Sequence, residues 1–296
     1  MTTLSPSRVR WIDVLLTALA PMIWGSTYIV TTQVLPPDRP FTAALIRVLP
    51  SGLLLLLYAR RRPARSDWPR LLILSALNIG AFQALLFVAA YRLPGGLAAV
   101  VGAIQPLLVM GLAWGVEQRR PLAATVWAAV AGVIGMGVLL LSPGTVFEPV
   151  GILAALGGAA SMATGTYLTR RWRLSLPVLA LTGWQLTLGG WMLAPVAWIA
   201  DPALPSLTMW QTAGYLYLSM AGALLAYALW FRGIARLAPV AVSSLGLLSP
   251  LTAVVLGWVW LGQAIRGVAF VGLAMVFASI LAVQWTASRR QVTSRA

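Results

Sequence analysis

Three residue types are missing from this 296-residue chain: it has no cysteine, no histidine and no lysine. Without cysteine there are no disulfides and no thiolate chemistry, and without histidine the chain lacks the commonest metal ligand and the usual base at neutral pH. Acids are scarce as well, with six Asp and Glu in total. The sequence therefore predicts no metal site, no cofactor and no catalytic residues.

The composition excludes a water-soluble globule, because 60% of the residues are hydrophobic and 9% are charged. A net charge of +15 would suit a nucleic-acid partner if the charges formed a basic stripe with aromatic residues between them. Here all 21 basic residues are arginines that border long apolar runs. This placement predicts a lipid bilayer as the partner and no nucleic acid.

Apolar runs long enough to cross a hydrocarbon core recur along the whole chain. Pro and Gly punctuate the short gaps between them, and no soluble domain is left over. The pattern predicts an all-α integral membrane protein with ten transmembrane helices. Their approximate ranges are 12–32, 41–59, 70–91, 95–117, 121–141, 149–169, 177–199, 210–231, 238–261 and 266–286.

The arginines collect in every second gap, which predicts the orientation because cationic flanks stay cytoplasmic. Both termini are expected in the cytoplasm. The predicted cytoplasmic side carries Arg8, Arg10, Arg60, Arg61, Arg62, Arg65, Arg70, Arg119, Arg120, Arg170, Arg171, Arg173, Arg232, Arg236, Arg289, Arg290 and Arg295. The other side carries Arg39, Arg92 and Arg266, and Arg47 lies inside the second span.

An internal repeat relates residues 87–106, at the third and fourth helices, to residues 231–250, at the eighth and ninth. The identities are Phe87 with Phe231, Arg92 with Arg236, Leu93 with Leu237, Gly102 with Gly246, and Pro106 with Pro250. We expect a first repeat over 1–146 and a second over 147–296. Five helices in each half force the halves into opposite orientations. Inverted repeats are typical of transporters that open a central site alternately to each side.

Several motifs resemble the EamA-type drug/metabolite transporter superfamily: residues 24–26 (Trp-Gly-Ser), Arg47, residues 91–93 (Tyr-Arg-Leu) and Gly-Trp-x-x-Leu-Gly at 257–262. The whole chain further resembles bacterial YddG-type exporters of aromatic amino acids. The resemblance implies a central cavity, alternating access and export of aromatic and other apolar amino acids across the bacterial inner membrane. Gln263 departs from the family, which often has Glu there. Export of other small metabolites or drugs, a membrane-embedded enzyme, and a structural or receptor role are the alternatives.

Polar and aromatic side chains at membrane depth are the candidate substrate-binding residues, because lipid rejects unpaired polar groups. Their mixture suits an amphipathic solute with an aromatic or apolar side chain. Each amide could instead join helices without touching substrate. The candidates are Trp24, Tyr28, Asn78, Phe82, Gln83, Met162, Trp184, Gln185, Tyr227, Ser243 and Ser244. Gln105 is also polar at depth.

Arg47 is the one arginine inside a predicted span. It could bind backbone carbonyls, reach the outer face, or meet a substrate carboxylate. Pro106 and Pro250 each remove a backbone hydrogen bond at corresponding points of the fourth and ninth helices, and we expect them to act as hinges or as static kinks.

No acid is predicted at mid-membrane depth, so an obvious proton relay is missing. This disfavours a proton antiporter of the small-multidrug type and favours transport down a gradient or weakly coupled export. Glycines at 111 and 115, and at 132, 135 and 137, predict close helix packing or a dimer face. We expect a monomer or a weak dimer.

Overall fold

The computed structural model describes residues 6–93, 100–118, 120–140, 148–262 and 267–293, and these residues form helices and no strands. Gln263 and Arg266 lie outside the described residues. We number ten helices along the chain. They are α1 Pro6–Gln33, α2 Pro40–Ala59, α3 Trp68–Arg92, α4 Val100–Glu117, α5 Ala123–Leu140, α6 Pro149–Trp172, α7 Val178–Ala200, α8 Met209–Arg236, α9 Pro239–Leu261 and α10 Ala269–Thr293.

Nine helices in the described part of the chain are long and apolar enough to cross a membrane. The remaining helix, α7, has 23 residues, and polar and small residues such as Gln185 and Thr187 lower its mean hydropathy. It packs along the full length of α2, which supplies the apolar surface that its composition lacks. The all-α membrane fold predicted from the sequence is confirmed.

The helix contacts occur in matched sets, as two inverted repeats require. Helix α2 packs on its counterpart α7, and α5 packs on its counterpart α10. Helix α1 contacts α8 and α9 of the second repeat, while α6 contacts α3 and α4 of the first. Each contact between the halves is therefore duplicated about an axis of approximate twofold symmetry.

The same symmetry relates irregular segments inside the helices. In the register that pairs Phe87 with Phe231, the π-helical turn Ala76–Gly80 of α3 coincides with the π-helical turn Met220–Leu225 of α8. Helix α4 is interrupted at 103–104 and α9 at 246–247, which in the same register differ by one residue. Such interruptions often accompany functional sites, because they change which backbone groups a helix presents.

Glycines let two of the paired helices approach closely. A Cβ on Gly272 of α10 would lie 2.5 Å from the backbone nitrogen of Leu139 in α5, and one on Gly135 would lie 2.7 Å from Cβ of Met275. The predicted packing role of this cluster is thus met at Gly135. By contrast, a Cβ on Gly111 or Gly115 would meet nothing within 4 Å, so these two do not pack against described residues.

Charged side chains lie at the two ends of the bundle. One end, which we call the arginine-rich face, holds Arg60, Arg61, Arg62, Arg65, Arg70, Arg170, Arg171, Arg173, Arg232 and Arg236; the other end, the opposite face, holds Arg39 and Arg92.

An ion pair joins α1 to α8 at the arginine-rich face and α3 to α6 at the opposite face. Asp13 lies 2.6 Å from Arg232 and 3.3 Å from Arg236, while Glu148 lies 3.5 Å from Arg92. The repeat relates Arg92 to Arg236, so the arginines of these two ion pairs are counterparts.

Candidate functional site

A cavity of about 130 Å³ lies between α3, α4, α6 and α9, two helices from each repeat. Most of its α3, α4 and α6 residues come from the halves of those helices nearer the opposite face. Its lining residues are Phe82, Leu86, Ala89, Gly102, Ala103, Gln105, Ala155, Gly158, Ala159, Ser243, Gly246, Leu247 and Pro250. The predicted substrate residues Phe82 and Ser243 are among them.

The cavity forms where α4 and α9 are interrupted. Gly102 and Gly246 are repeat counterparts, and both line it at the interruptions. In each helix a proline follows, at a position whose missing N–H and ring disfavour a continuous α-helix. Pro250 lines the cavity, whereas Pro106 is buried beside the lining residue Gln105. Of the two predicted hinge prolines, Pro250 therefore lines the cavity and Pro106 lies next to it.

The cavity is uncharged and mostly apolar. Among its described lining residues only Gln105 and Ser243 have polar side chains. The Ser243 hydroxyl donates to the carbonyl of Val240 over 3.0 Å. Nε2 of Gln105 is shielded from water and donates to no acceptor within the described ranges. The cavity thus offers an apolar surface with one amide still available for hydrogen bonding.

An aromatic cluster lies beside the cavity, toward the arginine-rich face. It consists of Trp24 from α1 and of Tyr227, Trp230 and Phe231 from α8. The Trp24 ring lies 5.0 Å from Tyr227 and 5.2 Å from Trp230, and Tyr227 stacks on Phe231 at 6.0 Å. The Trp230 ring also comes within 3.8 Å of the position that a Cβ on Gly246 would take. The cluster therefore borders the cavity at Gly246.

Gln83 and Tyr227, which the repeat predicts at similar depth, meet directly. Nε2 of Gln83 donates to the Tyr227 hydroxyl over 2.9 Å, and both side chains are buried. Because the two residues are repeat counterparts, their contact marks the axis of approximate symmetry. Neither lines the cavity in this conformation.

Arg47 is buried and binds the backbone of α8. Its Nη2 donates to the carbonyl of Gly222 over 3.1 Å, and Nε1 of Trp24 donates to the same carbonyl over 2.9 Å. Gly222 lies in the π-helical turn of α8, where the backbone departs from the α-helical hydrogen-bonding pattern. On the symmetric turn of α3, Ser161 donates to the carbonyl of Leu77 over 2.7 Å. Arg47 is therefore engaged with a backbone carbonyl, one of the roles expected from the sequence.

Asn78 and Gln185, both predicted to meet substrate, bind each other away from the cavity. Nδ2 of Asn78 donates to Oε1 of Gln185 over 2.7 Å and lies 3.1 Å from the Thr169 hydroxyl. These contacts join α3, α6 and α7, and all three side chains are buried. Their geometry matches the alternative role of holding helices together.

The remaining predicted residues are dispersed. Ser244 donates to the carbonyl of Ala241 and receives a bond from Gln284, and Met162 is buried in α6 without reaching the lining. The side chain of Tyr28 lies outside the described part of the structure. Trp184 does not lie at the cavity, because its Nε1 donates to the carbonyl of Arg61 at the arginine-rich face. Arg61 belongs to the α2–α3 connection, and the position of Trp184 along the predicted span did not indicate this contact.

Two site residues were not among the predicted substrate-binding set. Trp230 lies one helical turn after Tyr227. This spacing places both residues on one face of α8, so it could have indicated Trp230 from the sequence. Gln105 was identified as polar at membrane depth, yet only the interruption of α4 brings it to the cavity. No group of three or more potential metal-binding acids lies together in the described residues.

The sequence is similar to those of known membrane transporters, and the fold is similar to that of a solved structure. The model of the EamA-like transporter family matches twice, over residues 11–141 and 149–285. Protein PecM of Dickeya dadantii is 45% identical over 90% of each chain. The uncharacterized inner membrane transporter YedA of Escherichia coli K12 is 29% identical, over 88% of this chain and 87% of its own. A solved crystal structure at 20% identity has the same fold, with a TM-score of 0.78 over 95% of this chain and 99% of that chain.

Proposed function

The chain belongs to the EamA-like transporter family of multi-pass membrane proteins, and from this premise we propose that it exports amino acids, aromatic and other apolar ones, across the bacterial inner membrane. The route is the cavity between α3, α4, α6 and α9. Access alternates between the two faces of the bundle, with the arginine-rich face in the cytoplasm and both termini on that side.

One observation supports this proposal most strongly: the cavity lies between two interrupted helices that are repeat counterparts. Inverted-repeat transporters bind their substrates at such interruptions, near the axis that relates the repeats. The lining agrees with an amphipathic solute, since Phe82 and Leu86 offer apolar surface while Gln105 and Ser243 offer hydrogen-bonding groups. None of the described lining side chains provides metal or paired acid–base chemistry, which favours transport over a membrane-embedded enzyme.

The two repeats differ in how they can close the path. Trp230 of α8 packs into the aromatic cluster, whereas its repeat counterpart in α3 is Leu86, which lines the cavity. In the alternate conformation we expect the cluster to separate and Leu86 to help close the opposite face. Trp24, Gln83 and Tyr227 would then border the solute. Pro106 and Pro250 are the proposed hinges of this change.

Size favours a second candidate beside the aromatic amino acids. At about 130 Å³ the cavity is slightly smaller than the ~150 Å³ engineered cavity that holds one benzene molecule. A ring-sized solute or the side chain of phenylalanine fits, and a whole aromatic amino acid requires the cavity to widen. Other small uncharged metabolites are therefore the second candidate substrates.

Transport by the purified chain in liposomes tests the proposal. We expect uptake of labelled phenylalanine, tryptophan and leucine, with each reducing the uptake of the others, and no uptake by liposomes without protein. An imposed pH gradient should change the rate little, because no acid lies among the lining residues. Failure to transport any of the three would overturn the amino-acid assignment.

A further inference from the structure

The amide of Gln105, a lining residue, has no hydrogen bond to the described residues, and rotation about its last torsion lets it present either its oxygen or its nitrogen. We infer that the cavity selects solutes without net charge, and that Gln105 determines specificity by holding a hydrogen-bond acceptor of the solute. This inference rests on the proposed function, since it takes the cavity as the transport site. It adds the charge class of the substrate and the residue that recognises it.

The cavity offers no charge to a solute, since none of its thirteen described lining residues is charged. The buried guanidinium of Arg47 is directed at the carbonyl of Gly222 in α8. A solute ion in such a cavity would lose its hydration without gaining a counter-ion, which is costly at membrane depth. An uncharged amide has no charge to desolvate, and a zwitterion carries its own counter-ion, whereas a carboxylate or an ammonium alone has neither advantage.

Other buried amides are engaged through one of their two polar atoms: Gln83 donates to Tyr227, Gln284 donates to Ala241, and Gln185 accepts from Asn78. The second polar atom of each of these amides is buried without a partner among the described residues, as Nε2 of Gln105 is. The Gln105 side chain has no hydrogen bond to the described residues, and its Nε2 is buried without an acceptor. Buried polar groups are seldom left without partners, and an exception calls for an explanation.

The Gln105 amide reaches across to α9: its Oε1 lies 3.8 Å from the position of a Cβ on Gly246, a lining residue of α9. Rotation about the last side-chain torsion exchanges Oε1 and Nε2 with little change in shape, so the amide can present its donor at this place. Ser243 already donates to Val240, so Gln105 supplies the lining donor that remains.

Three probes of nearly equal size separate the possibilities: benzamide is uncharged, benzoate is an anion and benzylammonium is a cation. Toluene provides a ring with no acceptor. The chain has no cysteine, so Gly102→Cys introduces a unique thiol into the cavity, at a position where a Cβ meets nothing within 4 Å. The assay is the rate at which a maleimide modifies this thiol in the reconstituted full-length protein, with and without each probe.

We expect benzamide to slow the modification, and benzoate and benzylammonium to have no effect at the same concentration. Adding Gln105→Leu should weaken protection by benzamide roughly three- to tenfold, the value of one hydrogen bond, and leave protection by toluene unchanged. Gln105→Glu should transfer protection to benzylammonium, which a merely structural role would not do. Ser249→Ala is the matched control, since Ser249 is the repeat counterpart of Gln105 and does not line the cavity.

Equal protection by benzamide and benzoate, or by benzamide and benzylammonium, would overturn the charge selection. Unchanged benzamide protection in both Gln105 variants would overturn the role of the amide. These outcomes are independent of transport: protection of the expected kind without uptake of amino acids would contradict the proposed function and leave the inference in place. Uptake of amino acids with none of the expected protection would contradict the inference and leave the proposed function in place.

Discussion

Replacing Trp230 by leucine, the residue at the counterpart position 86, should open the path at the arginine-rich face. Trp230 is 1% exposed and packs 5.2 Å from Trp24. Losing this aromatic pair costs about 0.5–1.5 kcal/mol, and the space left behind costs on the order of 1 kcal/mol more. Both contributions belong to the closed cluster and vanish when it separates. A total of about 2 kcal/mol would change the ratio of closed to open molecules roughly 30-fold.

The assay uses the cavity thiol of Gly102→Cys and a membrane-impermeant maleimide in vesicles of each orientation. In the parent we expect little modification from the arginine-rich face, and with Trp230→Leu we expect a rise of at least tenfold. Trp198→Leu is the control, because Trp198 is 89% exposed on the outer surface of the bundle. A folded Trp230→Leu protein with the parental labelling pattern would refute the assignment of the aromatic cluster as the closed end of the path.

Three further predictions concern the hinges, the buried arginine and the helix contacts. If Pro106 and Pro250 are hinges, each proline-to-alanine variant should slow amino-acid uptake in liposomes severalfold at unchanged thermal stability, and normal uptake in both would contradict this. Arg47→Lys should lower the unfolding temperature, because a lysine ammonium reproduces neither the reach nor the planar fork that binds the α8 carbonyl, a loss of about 1–3 kcal/mol. Gly272→Ala should destabilise the protein by about 1–3 kcal/mol, because its Cβ would meet the backbone of α5. Gly111→Ala is the control and should not destabilise it, because open space surrounds its Cβ. Similar thermal unfolding of both variants would refute the α5–α10 contact.

Much of the fold could be predicted from the sequence because lipid imposes a simple rule. Each helix must satisfy its own backbone and present apolar side chains, so run lengths and arginine placement mark the spans. The internal repeat then paired residues of the two halves, and it predicted that Gln83 and Tyr227 lie at similar depth. Helix α7 shows the limit of the rule, since its packing on α2 permits a more polar composition.

The site was less predictable because membrane depth alone does not tell which way a polar group points. Asn78 and Gln185 lie at suitable depth, yet they satisfy each other. Trp184 was placed too deep, because the fold of the α2–α3 connection brings the carbonyl of Arg61 to its indole. Gln105 reaches the cavity because α4 is interrupted at 103–104. Pro106 indicated an irregular helix, but it did not indicate at which residues the interruption lies. Side-chain partners depend on tertiary packing, which one sequence does not specify.

We propose that solutes cross the membrane through the cavity at the interruptions of α4 and α9. The most direct measurement compares labelled phenylalanine uptake by Gly102→Trp and Gly111→Trp in the same liposomes. Tryptophan at 102 would fill the cavity of about 130 Å³, whereas at 111 it would face open space on the same helix. We expect Gly102→Trp to abolish uptake and Gly111→Trp to retain it. Equal uptake by the two folded proteins would exclude this cavity as the transport path.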